Sequence, residues 1–153
     1  GTDALLLPTA QDHKPLLDGN IGPNTGGMGA FCPGTVIGSA DLDTIRRTII
    51  EPTLEGLVAD QIEYSGVLYA GLMMTKSGPR VLEYNCRLGD PETQPVLLRL
   101  TSDFADILEA TADHSPSSAS VTWARRARSG RSRGGGAGAR GGASSFDQSL
   151  SGE

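Results

Sequence analysis

The stretch Gly66–Tyr84, GVLYAGLMMTKSGPRVLEY, places two apolar runs around a short polar break and predicts a β-hairpin. Residues 66–75 are apolar almost without interruption, the pattern of a strand buried on both faces. Lys76-Ser77-Gly78-Pro79 is the turn, with Gly78 able to take a positive φ that side chains resist. Residues 80–84 return as the second strand. Their alternation is imperfect, because Val81 and Leu82 are adjacent apolar residues. Even so, Glu83 and Asn85 stand two apart and share a face.

Reading on from the hairpin, Val81–Thr93 is VLEYNCRLGDPET. A carboxylate and an amide oxygen on one face of a strand form a hard-oxygen pair suited to Mg²⁺, which takes its remaining ligands from water and nucleotide phosphates. Arg87, two positions further on, has the guanidinium fork that grips phosphate or acyl-phosphate oxygens. Gly89-Asp90-Pro91-Glu92 turns before a helix N-terminus, where anions are welcome. Spacing alone does not separate this from an ordinary strand edge with exposed charges, since E-x-N is a common accident. The predicted helix starts at Pro91-Glu92 and runs through Leu97, Leu98 and Leu100. A further helix is capped by Ser102 and buries Phe104, Ile107 and Leu108.

On the N-terminal side, Ser39 is the expected cap of a helix carrying Asp41 and Asp43 in its first turn and Leu42, Ile45 and Ile49 on one face. Pro52 should bend or break it near Glu51, with a second helical stretch from Thr53 to Ala59. Ala4–Leu7 suits a short strand. From Thr9 to Pro33 the chain is polar and rich in turn formers, and so long a loop inside a compact domain calls for a functional explanation. Within it, Gly22-Pro23-Asn24-Thr25-Gly26-Gly27-Met28-Gly29 exposes backbone N–H groups and permits close approach. It has neither the G-K-[ST] of a Walker loop nor a G-x-G-x-x-G turn. Asn24 and Thr25 can orient a small substrate, and Gly26 and Gly27 can admit one. Upstream, Asp12-His13-Lys14 offers, as a set beside the glycine loop, a carboxylate to orient a cation and an ammonium to meet phosphate; taken singly, His13 reads first as a solvated loop histidine and Lys14 as a surface charge.

Charge is distributed unevenly. Residues 1–113 hold seven Lys/Arg against sixteen Asp/Glu, whereas residues 114–153 hold six Arg against two acidic residues. An acidic body disfavours a nucleic-acid surface and suits metal-bridged anion binding. No apolar run approaches the roughly 20 residues that span a bilayer. The first residues show no secretory pattern, which makes cytoplasmic location the expectation. Cys32 and Cys86 lack CxxC spacing and read as thiols rather than as zinc ligands or a disulfide. The tail has eight Gly and few large apolar groups, so residues 114–153 are expected to be disordered. Its composition suits an out-of-frame reading of a GC-rich gene. An RNA-binding reading of its R-G-G steps at Arg133 and Arg140 is weakened by the lack of interleaved Phe or Tyr.

Taken together, AQDHK at Ala10–Lys14, GPNTGGMGA at Gly22–Ala30, EPT at Glu51–Thr53, GVLYAGLM at Gly66–Met73 and VLEYNCRLGDPETQ at Val81–Gln94 resemble one family. It is the phosphoribosylamine–glycine ligases, also called glycinamide ribonucleotide synthetases, ATP-grasp enzymes of purine biosynthesis. The motifs keep the family's order and spacing across residues 1–113. Leu88 stands where the family's R-F-G-D-P-E has Phe, and Pro15 stands where Arg commonly follows DHK. The resemblance implies a ligase that joins glycine to 5-phosphoribosylamine, turning ATP into ADP and phosphate through glycyl phosphate with Mg²⁺ or Mn²⁺. It implies Glu83 and Asn85 as metal ligands, Arg87 as catalytic, and Asp12, Lys14, Asn24, Thr25, Gly26, Gly27, Asp90 and Glu92 as substrate-binding. The implied fold is α+β, a partial ATP-grasp domain over residues 1–113 with helices on one face of an antiparallel sheet. The resemblance also implies that the N-terminal half of such an enzyme, with much of its nucleotide site, is absent and that the isolated chain is inactive. The rival readings are another ATP-grasp carboxylate–amine ligase and a non-catalytic module with an RNA-binding tail.

Overall fold

The computed structural model describes residues 1–126 and 128–131. The architecture is α+β, and every strand pairing is antiparallel. The polar segment expected to be one long loop contains four short strands: β1 Gln11–Asp12, β2 Pro15–Leu17, β3 Ile21–Asn24 and β4 Gly29–Cys32. Strand β2 pairs with β3, and β1 with β4, so the glycine loop is reduced to a tight connection from Thr25 to Met28. Ala4–Leu7 joins no ladder among the described residues.

Helix α1 Ser39–Ile45 leads into a π-turn at Arg46–Ile50 and then helix α2 Glu51–Ala59. Its cap is Gly38 rather than Ser39, and the Asp41 carboxylate accepts the Gly38 N–H at 2.9 Å. Pro52 does not break the rod. Having no N–H and needing room near the preceding turn, it is preceded by widened π geometry, in which the Glu51 N–H reaches back to the Arg46 carbonyl.

The hairpin is β5 Tyr69–Thr75 with β6 Gly78–Asn85, joined through Lys76 and Ser77, and Gly78 has φ +102°. It forms its own two-stranded sheet rather than part of a larger one, and it is not buried on both faces. Leu82 and Met73 are 61% and 52% exposed, and among the described residues no third strand pairs with the hairpin. The imperfect alternation at Val81-Leu82 has a structural cause. Gly71 pairs with Glu83 and Leu72 with Val81, leaving Leu82 as an extra, bulged residue. Helix α1 packs near β6, and Thr53 of α2 shares a 2.7 Å hydrogen bond with the Tyr84 hydroxyl.

Helix α3 is Thr93–Leu97, shorter than the pattern predicts, because Leu100 leaves it to bridge Trp123. Helix α4 is Phe104–Ala112, capped by Asp103 instead of Ser102: the Asp103 carboxylate accepts the Ala105 N–H at 2.9 Å. Ile107 is buried, whereas Leu108 is half exposed. Described structure continues past the compositional boundary at residue 114. A 3₁₀ turn at Pro116–Ser118 and strand β7 Arg128–Arg131 follow, and β7 pairs with β4. Arg99 anchors this return by donating from Nε and Nη2 to the Ala124 carbonyl at 3.1 and 2.8 Å. Arg133 and Arg140 lie outside the described residues.

The small core comprises Ala30, Cys32, Ile45, Ile49, Leu54, Val96 and Ile107, with Pro91 and Pro95 fully buried beside it. Among the described residues no helix is long and apolar enough to cross a membrane.

Candidate functional site

The site is an edge built from three separate segments. Strand β6 brings Glu83 and Asn85. Both lie on the C-terminal side of the bulge, where pairing is regular, Glu83 facing Gly71 and Asn85 facing Tyr69. The two oxygens therefore keep a common face. A Cβ on Gly71 would stand 3.0 Å from Glu83 Cγ, so the bare glycine gives the carboxylate room against β5.

The second segment is the DHK run. Its strand continues past Asp12, with the His13 N–H donating to the Gly29 carbonyl and the Met28 N–H to the His13 carbonyl, each at 3.0 Å. The His13 ring packs 5.6 Å from that of Phe31. Lys14 Nζ reaches Glu83 Oε1 at 3.6 Å, tying the loop to the hairpin. Both side chains are well exposed, so the pair contributes at most about 1 kcal/mol.

Asp12 differs from Lys14 in being shielded. Both of its carboxylate oxygens are buried without a hydrogen-bond partner among the described residues. Desolvation raises its pKa, the Glu92 charge raises it further, and Lys14 opposes both. The adjacent His13 backbone amide also opposes the shift, and a buried carboxylate so sparsely hydrogen-bonded is uncommon outside functional sites.

The third segment is Gly89-Asp90-Pro91-Glu92. Glu92 is buried and accepts a 2.8 Å hydrogen bond from the Tyr69 hydroxyl. A Cβ on Gly89 would stand 2.5 Å from Glu92 Oε2 and 2.9 Å from Tyr69 Cε2, so only glycine fits there. Burial first, and then the bond to Glu92, raise the Tyr69 pKa above the ordinary phenol range. Gly27 is buried with φ +125°, between Pro91 and the Asp12 carboxylate.

The remaining predicted residues are exposed or occupied by local hydrogen bonds. The Thr25 hydroxyl donates to the Lys14 carbonyl at 2.8 Å and accepts the Gly27 N–H at 3.1 Å, so it shapes the loop. Asn24 is exposed at the end of β3 opposite Pro15, and Gly26 is exposed beside it. Arg87 is exposed, its Nη1 donating to the adjacent Leu88 carbonyl at 3.0 Å. The exposed Asp90 carboxylate accepts from Gln94 Nε2 at 3.0 Å. Helix α3 adds little for an anion, since it has five residues and its first amide donates to the Gly89 carbonyl. Two surface concavities of about 360 and 220 Å³ lie beside Arg46 and Glu51, and neither is lined by Glu83 or Asn85.

The donor set fits a hard divalent cation held partly by protein. Glu83 and Asn85 offer two oxygens on one face, and no group of three or more His, Cys, Asp or Glu among the described residues is placed to hold a metal. A cation here would complete its shell with water and phosphate oxygens, as Mg²⁺ commonly does. Tyr69 was not anticipated from the sequence. Its one signal is a hydroxyl inside an otherwise aliphatic run, two residues before Gly71.

Comparison with known proteins identifies the family. Residues 1–93 match the family described as phosphoribosylglycinamide synthetase, ATP-grasp (A) domain. A phosphoribosylamine–glycine ligase of Xanthomonas campestris pv. campestris is 49% identical over 124 residues, covering 80% of this chain and 29% of that protein. The trifunctional purine biosynthetic protein adenosine-3 of Drosophila melanogaster is 55% identical over 105 residues, 69% of this chain and 8% of that protein. The crystal structure of the Thermotoga maritima phosphoribosylamine–glycine ligase superposes with a TM-score of 0.62 at 37% identity, covering 71% of this chain and 27% of that one. The chain thus spans less than a third of the length of these relatives. By its motifs, its sequence and its fold, the chain belongs to the phosphoribosylglycinamide synthetase family, within the ATP-grasp (A) domain.

Proposed function

We propose that residues 1–113 supply the cation- and acid-bearing edge of a ligase that joins glycine to 5-phosphoribosylamine in de novo purine synthesis. The observation that carries this reading is the convergence of Asp12, Lys14, Gly27, Glu83 and Glu92 on one edge from three distant segments. In the reaction, the γ-phosphoryl group of ATP passes to the glycine carboxylate, and the amine of phosphoribosylamine then displaces phosphate from glycyl phosphate. Two anions must approach each other in the first step, so charge neutralisation and alignment carry most of the rate.

Glu83 and Asn85 would hold Mg²⁺ or Mn²⁺, which when bound supplies neutralisation between triphosphate and carboxylate. Lys14 and Arg87 bear on phosphate oxygens, with Arg87 swinging from its local contact with Leu88. Asn24, Thr25, Gly26 and Gly27 form the loop wall, and Asp12, Asp90 and Glu92 form the acidic wall facing the substrate amine. No side chain here is assigned as a general base. The matched stretch is a minor part of the relatives' length, which supports a shared site completed by polypeptide outside it and an inactive isolated chain. Cytoplasmic location follows from this role.

The test uses the complete ligase carrying this stretch. ADP release should require both glycine and phosphoribosylamine, and Glu83→Gln should abolish it at ordinary cation concentrations. ADP release with a different acid and amine, and none with this pair, would overturn the assignment.

A further inference from the structure

We infer that Tyr69 is a positioning residue: its phenol fixes the Glu92 carboxylate and locks the turn that carries it to the strand pair that carries Glu83 and Asn85. The inference rests on the proposed substrate-binding role of Glu92.

Three observations carry it. First, the Tyr69 hydroxyl donates to Glu92 Oε1 at 2.8 Å, leaving Oε2 without that constraint and directed past Gly89. Second, Tyr69 is the strand partner of Asn85, and the next residue on the same face of β5, Gly71, is the partner of Glu83. The phenol therefore grows from the backbone rung that also bears one of the two cation-binding oxygens. Third, the space is cut to fit. A Cβ on Gly89 would meet both the Glu92 carboxylate and the Tyr69 ring, so the glycine of the GDPE turn admits this pair.

A buried carboxylate has several rotamers, and a single charge-assisted hydrogen bond is enough to select one. With Oε1 committed to the phenol, Oε2 is held against Gly89, and the Glu92 charge is close enough to Asp12 to act on it. Tyr69 acts through Glu92 and does not touch the reacting atoms.

The experiment compares Tyr69→Phe, Glu92→Gln and the double variant in the complete ligase, measuring KM for each substrate, kcat and melting temperature. Phenylalanine keeps the ring against Gly89 and removes only the hydroxyl. The substrate whose KM rises in Glu92→Gln should show a rise of about tenfold in Tyr69→Phe. The double variant should be little worse than Glu92→Gln alone, since the phenol then has no carboxylate to orient. Kinetic constants within about twofold of the parent, or effects that multiply independently, overturn the inference. So does a Tyr69→Phe protein that no longer melts cooperatively, which would make the phenol a folding element. An inactive parent enzyme is a different result: it removes the proposed ligase function, and with it the role of Glu92.

Discussion

Gly27 and Pro91 are in such close register that a Cβ on Gly27 would stand 2.6 Å from Pro91 Cδ. The glycine loop and the GDPE turn, more than sixty residues apart in the chain, are thereby keyed together, with the Asp12 carboxylate at the same contact. Gly27→Ala should cost about 1–3 kcal/mol, because φ +125° strains any side chain and the new methyl has rigid ring atoms in its way. A urea unfolding midpoint unchanged from the parent would show that the two segments are not keyed in solution.

Lys14 partly neutralises Glu83, so it would compete for that carboxylate with the cation proposed there. Lys14→Met should raise Mn²⁺ affinity in the complete ligase by roughly two- to fivefold, the range expected for an exposed ion pair. Electron paramagnetic resonance titration of free Mn²⁺ measures this directly. Unaltered or weaker Mn²⁺ binding would show that the pair does not guard the site.

Gly71→Ala should act in the opposite direction. The added methyl meets Glu83 Cγ, the flexible stem of an exposed side chain, so the carboxylate moves and the strand survives. Cation affinity should fall by roughly tenfold, as when a supporting contact of a metal ligand is lost. The melting temperature should stay close to that of the parent.

Asp12 gives a pH signature. Its pKa is raised in the folded state above the ordinary 3.8, chiefly by desolvation and then by Glu92. The folded protein holds this proton more tightly than the unfolded chain, so stability is lost as pH rises from about 4 through the raised value. Asp12→Asn should remove that loss. Its melting temperature should exceed the parent's at neutral pH, and the gap should close as the pH falls to about 4. A gap that is constant with pH would mean that Asp12 is not shielded as described.

Much of the fold was legible in local sequence. The hairpin turn with its positive-φ glycine, the shared face of Glu83 and Asn85, and the presence of helices around Ile45, Leu54 and Ile107 each follow from a few neighbouring residues. What escaped depends on partners distant in the chain. The bulge at Leu82 is a mismatch between two strands, and neither strand alone reveals it. The strands inside the polar segment are too short for periodicity to register. Tyr69 is chosen by Glu92, twenty-three residues away, and nothing beside it in sequence marks the choice. Gly38 and Asp103 displaced Ser39 and Ser102 as caps by one position, a shift within the ambiguity of adjacent short polar residues.

The pairing of β7 with β4 bears on how the molecule assembles. Strands β1 and β4 are about twenty residues apart and can meet early, but β7 joins β4 from about a hundred positions away, the kind of closure that slows folding. During synthesis, the outer edge of β4 must wait with its amides and carbonyls open until Arg128–Arg131 has left the ribosome. A nascent or truncated chain ending before Arg128 would carry an unpaired β-edge beside the glycine loop, a template for association with other copies.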